Sequence, residues 1–212
     1  GGRLSVDAFV EEVGPDGGLP PRHQIPPAPT YPDGAPSVFV TGGSSGIGYE
    51  LCRQLSLKHG FRVFMGAKDV RLGGTMAMKI EDDGGYCEVI ECDVRSEDSC
   101  ECAAIMIQAL MAYEPLSCVV NNAGVGLETC ADMDVILDTN LFGAKRVWDA
   151  FLPIMDERFA RLVNVGSAAG PAYLECASER DRRLLTNPTV TWEDIAGHVA
   201  EARRRPGGES HD

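Results

Sequence analysis

From residue 37 onward, short apolar runs alternate with longer segments in which apolar residues recur every three or four positions. The short runs are rich in β-branched residues and are bounded by polar or turn residues, which is typical of buried strands. They predict five strands, at 37–40, 62–65, 87–92, 116–121 and 161–165.

The segments between these strands have the spacing of amphipathic helices. They predict helices that begin at Ile47, span 75–81, 96–113 and 138–156, and follow a Thr191 cap near the C-terminus. Because strands and helices alternate, the fold class predicted is α/β, a Rossmann-like doubly wound parallel sheet. In such folds the ligand site lies at the carboxyl ends of the strands.

Residues 1–36 differ in composition from the rest of the chain. They contain eight of the 13 prolines, and they include the stretch LPPRHQIPPAPTYPDGAP. Proline at this density is incompatible with long helices or central strands, so an extended segment is expected. It is either a disordered leader or an arm that docks onto a partner.

Charge and cysteine content narrow the classes of partner. The formal net charge of −13 argues against nucleic acid and anionic membranes as partners, and no apolar stretch is long enough to span a bilayer. The eight cysteines form no C-x-x-C pair, which argues against a zinc site, so no metal is expected. Reduced thiols indicate a cytosol or an organelle matrix as the compartment of the protein.

The chain begins with Gly1 rather than Met. We therefore expect that a segment upstream of Gly1, such as a targeting peptide, has been removed.

The stretch VTGGSSGIGYEL connects the first predicted strand to the first predicted helix. Its glycines allow a tight turn and the close approach of another molecule. The free N–H groups and the positive end of the helix dipole make a strand–glycine turn–helix unit an anion site. An ordinary tight turn is the alternative.

Four motifs follow one another in order: TGGSSGIG at 41–48, CDV at 92–94, NNAG at 121–124 and VNVGS at 163–167. Together with Asn140 in TNLFG, they resemble the short-chain dehydrogenase/reductase family over about 37–202. The resemblance implies a Rossmann domain over 37–212 that is incomplete, because the last two strands of the family are missing. The segment after Ser167 resembles the helical insertion of carbonyl reductases, at about 171–205.

The resemblance also implies roles for individual residues. The cofactor pyrophosphate and ribose would be lined by Gly42, Ser44, Ser45, Gly46, Ile47 and Gly48. Asp93 and Val94 would flank the adenine, and Asn121, Ala123 and Gly124 would pass beneath the cofactor ribose.

The residues after the second strand favour NADP over NAD as the cofactor. NAD enzymes often carry a carboxylate there, whereas NADP enzymes supply a cation. Ala67 is neutral, and Lys68 stands where carbonyl reductases carry an arginine. Asp69 and the uncharged Ser45 count against NADP, and an ordinary surface lysine is the alternative.

The catalytic residues implied by the family are only partly present. Ser167 matches the serine that holds the carbonyl oxygen, and Asn140 matches the asparagine that holds the catalytic lysine through water. The family's tyrosine, with lysine four residues on, is absent. Tyr173 has Ala177 at that position, and no lysine follows Lys145.

Three hypotheses follow for function. The first is an NADP(H)-binding scaffold whose full-length form reduces a carbonyl, which leaves open whether the chain itself is an enzyme. The second is a non-catalytic structural or accessory subunit, and the third is a dinucleotide sensor without turnover. If the fifth strand is a sheet edge, a protein partner is expected to cover 161–165 and the helix that carries Trp148.

Overall fold

The computed structural model of the chain describes residue 31 and residues 34–204. It consists of two compact units that meet in sequence between Val165 and Gly166, and each unit is described by itself. Most of the Pro/Gly-rich segment predicted at 1–36 lies outside the described residues.

The first unit contains one parallel sheet of five strands. The strands are β1 Ser37–Val40, β2 Arg62–Ala67, β3 Cys87–Glu91, β4 Cys118–Asn121 and β5 Arg161–Asn164. They are arranged in the order β3-β2-β1-β4-β5 and all pairs are parallel. The order reverses between β1 and β4, so the carboxyl ends of these two strands form the switch point where ligands bind in doubly wound folds. This confirms the predicted α/β fold class.

Helices connect the strands. The first unit has α1 Gly46–His59, α2 Val70–Asp82, α3 Glu97–Leu110, α4 Met133–Leu137, a π-helical segment Asp138–Gly143, α5 Ala144–Phe151 and a 3₁₀ turn Leu152–Ile154. The second unit has α6 Ala169–Cys176, α7 Glu179–Leu185 and α8 Trp192–Arg204.

Helix α2 begins five residues earlier than predicted. Its cap is Asp69, whose carboxylate accepts hydrogen bonds from the backbone N–H groups of Arg71 and Leu72. The early start was hidden by Gly73 and Gly74, which are poor helix formers. Gly73 is needed for packing, since a Cβ there would lie 2.8 Å from Val89 Cγ1.

The helix predicted at 138–156 is interrupted. Asp138–Gly143 is wound as a π-helix, and Gly143 packs so closely on Val94 that an added Cβ would lie 2.8 Å from its Cγ2. The α-helical part ends at Phe151, before a 3₁₀ turn that contains a proline. One π-helical turn is a common local feature of functional sites.

The strand boundaries differ from the prediction by one or two residues. β2 extends to Ala67, β3 ends at Glu91 and β5 ends at Asn164. β4 begins at Cys118, because Leu116 makes only an isolated bridge with Met155.

Two apolar clusters bury the centre of the sheet from both sides. Alternate residues of β1 divide between them, Phe39 in one and Val38 with Val40 in the other. Phe39 stacks on Phe151 of α5, with ring centroids 4.4 Å apart. β5 is the exception, because its residues are mostly exposed and, within the described part of the chain, it pairs only with β4.

The second unit is built from three helices. Ser178 caps α7, and Arg180 forms a bidentate ion pair with Glu201 of α8. Asp181 is buried, and its Oδ1 lies 3.7 Å from His198 Nδ1.

Two further observations concern the cysteines and the length of the apolar helices. The eight cysteines are free thiols. Among the described residues, no helix is long and apolar enough to cross a membrane.

Candidate functional site

The glycine turn after β1 is joined to the end of β4 by hydrogen bonds. Thr41 Oγ1 accepts from the backbone N–H groups of Asn122 and Ala123, and donates to Val120 O. The Asn122 side chain donates to Thr41 O and Gly42 O. Thr41 and Asn122 lie within the TGGSSGIG and NNAG motifs, but the hydrogen bonds that join these motifs were not predicted from the sequence.

Three glycines of the turn are required by packing. A Cβ at Gly42, where φ is +62°, would lie 2.9 Å from Ala123 Cα, and one at Gly43 would lie 2.8 Å from Met65 Cγ. A Cβ at Gly48 would overlap Gly42 O and the Asn122 side chain. These glycines let the turn lie directly against β2 and β4.

Gly46 differs from the other three. Its φ is +51°, and a Cβ placed there would meet no atom within 4 Å. It is the first residue of α1, and the Ser45 side chain before it makes no capping hydrogen bond. Since the first N–H groups of a helix have no intrahelical partner, they are available to a ligand beside Gly46.

The other predicted residues of the turn vary in exposure. Ser44 is half-buried and Ser45 is exposed. Ile47 is 71% exposed, so its side chain covers no part of the core. The exposed Ile47 side chain forms an apolar surface beside the N-terminus of α1, and the dipole of that helix favours an anion there.

Lys68 and Asp93 lie at the ends of two neighbouring strands and form an ion pair. Lys68 Nζ is 3.1 Å from Asp93 Oδ2. Partial burial would raise the pKa of the Asp93 carboxyl, but hydrogen bonds from the Arg95 backbone N–H and Lys68 outweigh it and hold that pKa below its usual value. The Asp69 carboxylate beside Lys68 is used for capping α2.

Val94 is held in place by the helices behind it. Arg146 Nη1 donates to Val94 O at 3.3 Å, and Arg146 Nη2 donates to Asp138 Oδ1 at 2.7 Å. Arg95 Nε reaches the other carboxylate oxygen of Asp138 at 3.2 Å. The hydrogen bond from Arg146, helped by Arg95, lowers the pKa of the Asp138 carboxyl.

The predicted residues after β4 follow the same edge of the sheet. Asn121 is buried, and its amide donates to Asn164 Oδ1 at 2.9 Å. Its own Oδ1 has no hydrogen-bond partner among the described residues. Ala123 packs against the core beside the glycine turn, and Gly124 is exposed.

Asn140 is wound into the π-helical segment and faces the loop after β4. Its amide accepts from Val125 N at 2.9 Å and donates to Val125 O at 2.8 Å. These two hydrogen bonds show that Asn140 shapes the loop after β4.

Ser167 belongs to the second unit, where its Oγ accepts from the Ala169 N–H.

The structure brings together the predicted residues of the first unit. The glycine turn, Lys68, Asp93 and the segment 121–124 follow four adjacent strands at their carboxyl ends. No group of three or more histidine, cysteine, aspartate or glutamate side chains suited to a metal occurs in the described part of the chain.

Comparison with known proteins agrees with this arrangement. Carbonyl reductase (NADPH) 1 of Mus musculus is 28% identical, with 76% of this chain and 60% of the relative covered. Carbonyl reductase (NADPH) 3 of Rattus norvegicus is 30% identical, with 82% and 64% covered. The chain thus spans about 60% of the length of these relatives.

A solved structure of a metagenomic short-chain oxidoreductase in complex with NADP superimposes with a TM-score of 0.56 at 31% identity. The match covers 64% of this chain and 63% of that one. The family model for short chain dehydrogenases matches residues 36–178, which include the sheet and all four motifs. This chain is therefore a member of the short chain dehydrogenase family.

Proposed function

We propose that the first unit binds NADP(H) across the carboxyl ends of β1, β2, β3 and β4. One observation carries the proposal: Gly46 combines a left-handed backbone with empty space at the uncapped N-terminus of α1. A pyrophosphate needs both features, because its oxygens must approach the backbone closely and accept hydrogen bonds from N–H groups. An ordinary tight turn accounts for the left-handed backbone, but it does not require an open helix N-terminus without a side-chain cap.

The surroundings of the turn fit the phosphorylated cofactor. Lys68 is 66% exposed, so its ammonium can move to a 2′-phosphate at the end of β2. Asp69 does not oppose this contact strongly, since its carboxylate accepts two backbone hydrogen bonds at the start of α2. The names of the related carbonyl reductases and the NADP complex support the same choice.

The reaction of the whole protein is proposed to be the reduction of a carbonyl compound to an alcohol. Bound NADPH would supply the hydride. Ser167 would hold the carbonyl oxygen, and Asn140 would order the loop after β4. The oxygen becomes an alkoxide as the hydride arrives and must take up a proton. Since no tyrosine in this sequence has a lysine four residues on, this proton would come from water or from a residue outside these 212 residues.

Calorimetric titration with NADPH and NADH tests the proposed binding. NADPH is expected to bind more tightly than NADH, and Lys68→Ala should remove about 1–2 kcal/mol from NADPH binding alone. Lys79→Ala is the matched control, because Lys79 is an exposed lysine in the last turn of α2. Equal losses for both cofactors would contradict a 2′-phosphate contact, and binding of neither cofactor would contradict the function.

A protein partner over 161–165 and the Trp148 helix is also proposed. It is supported by Val163, which is 44% exposed on β5, a strand that pairs only with β4 within the described residues.

A non-catalytic subunit and a dinucleotide sensor are the two alternative functions. Like the proposed scaffold, both alternatives predict that this chain alone does not oxidise NADPH when a quinone is added.

A further inference from the structure

We propose that Asp93 limits the preference for NADPH, because it competes with the 2′-phosphate for the Lys68 ammonium. This inference rests on the proposed NADP(H) site and assigns a specificity-determining role to a residue that would otherwise contact only the adenine. The Lys68–Asp93 ion pair would then be an internal substitute for the cofactor phosphate.

The two partners of this pair are held with different rigidity. Asp93 Oδ1 accepts from the Arg95 backbone N–H at 3.0 Å, and the Asp93 N–H donates to Ser99 Oγ at 3.0 Å. The Lys68 side chain is 66% exposed, whereas that of Asp93 is 31% exposed. A ligand at the end of β2 would therefore move the ammonium and leave the carboxylate where it is.

The electrostatic consequence differs between the two cofactors. The Lys68 ammonium can bind a 2′-phosphate only by leaving the Asp93 carboxylate, which it now contacts at 3.1 Å, or by sharing its charge between the two anions. In either case NADPH binding loses part of the attraction that the cation would otherwise supply. The 2′-hydroxyl of NADH carries no charge, and the adenine is common to both cofactors. Asp93 therefore acts against NADPH selectively.

Asp93→Asn separates this effect from the adenine contact. The asparagine retains an oxygen that can accept from the Arg95 N–H and from an adenine amino group, but it loses the charge. The quantity measured is the ratio of the NADH dissociation constant to that of NADPH. We expect Asp93→Asn to raise this ratio roughly two- to five-fold, as is usual for a partly exposed ion pair.

The coupling to Lys68 is tested with a double-mutant cycle. In the Lys68→Ala background, the increase caused by Asp93→Asn should fall to the size that Asp69→Asn produces in the wild type. Asp69 is the matched control, because its carboxylate is adjacent to Lys68 in sequence but accepts from Arg71 and Leu72 instead. A separate NMR titration without cofactor should show that Lys68→Ala raises the pKa of the Asp93 carboxyl.

The results that overturn the inference are distinct from those that overturn the function. An unchanged or lower ratio for Asp93→Asn refutes the competition, provided that the wild type binds NADPH. An increase that persists undiminished in Lys68→Ala, or that Asp69→Asn reproduces in full, also refutes it. Failure of both cofactors to bind the wild type contradicts the proposed function and, with it, the inference.

Discussion

Replacing Gly46 by alanine separates cofactor binding from the stability of the fold. Gly46 and Gly60 occupy the two ends of α1, with φ of +51° and +66°, and a Cβ at either position would meet no atom within 4 Å. Alanine at each position is therefore strained by the backbone and not by packing. Only Gly46 lies beside the proposed pyrophosphate position.

The expected stability changes are similar for the two variants. A left-handed conformation costs a non-glycine residue about 1–2 kcal/mol. For a protein of this size, such a loss lowers the melting temperature by roughly 2–8 °C. Gly46→Ala and Gly60→Ala should therefore melt at nearly the same temperature in the absence of cofactor.

The expected binding changes are different. A methyl group at Gly46 would displace a phosphate oxygen from its place near the α1 N–H groups. Loss of one charge-assisted hydrogen bond weakens NADPH binding by about 1.5–3 kcal/mol, or roughly 10- to 150-fold. Gly60→Ala should bind NADPH as the wild type does.

Calorimetry on the two variants, with circular dichroism to compare their melting, is the assay. Wild-type affinity in a folded Gly46→Ala protein would refute the placement of the pyrophosphate. An equal loss of affinity in Gly60→Ala would show that helix strain, and not steric exclusion, is being measured.

Four further predictions concern stability, turnover and assembly. Gly48→Ala should destabilise the fold by about 1–3 kcal/mol through overlap with the glycine turn, measured by urea unfolding, and a wild-type midpoint would contradict that packing. Asp138→Asn should cost ~1–2 kcal/mol at pH 7. Because the pKa of Asp138 is lowered in the folded state, this difference should begin to shrink as the pH falls below about 4, near the pKa of an unfolded aspartate, and should vanish only below the lowered folded-state pKa. A constant difference would argue against the ion pairs. The chain should not oxidise NADPH with a quinone or an aromatic aldehyde, and turnover abolished by Ser167→Ala would reveal another proton donor. In sedimentation the purified chain should associate through 161–165, and a compact monomer that melts cooperatively would contradict the proposed partner.

The sheet was predictable because each strand is a short apolar run bounded by turn residues. β1 was predicted with its observed boundaries, and the other strands to within two residues. The parallel direction of the strands followed from the alternation of strands and helices. These features depend on local periodicity, which a sequence displays directly.

The irregular parts of the site depend on contacts between distant residues. The π-helical turn at 138–143 ends at Gly143, which packs against Val94, about fifty positions away. The Lys68–Asp93 ion pair joins the ends of two strands and has no local signal. Thr41, which follows β1, makes hydrogen bonds with Val120 and Asn122 at the end of β4, and these partners are likewise distant in sequence. Such contacts become visible only when the strands are placed side by side.

The most direct test of the central claim is a backbone NMR titration of the chain with NADPH. The account predicts chemical-shift changes that cluster in the glycine turn 41–48, at Lys68, at Asp93 and Val94, and in 121–124. The C-cap Gly60 at the other end of α1 should remain unchanged. Saturation with shifts confined to other residues, or no shifts at all, would contradict the claim that this edge of the sheet binds the cofactor.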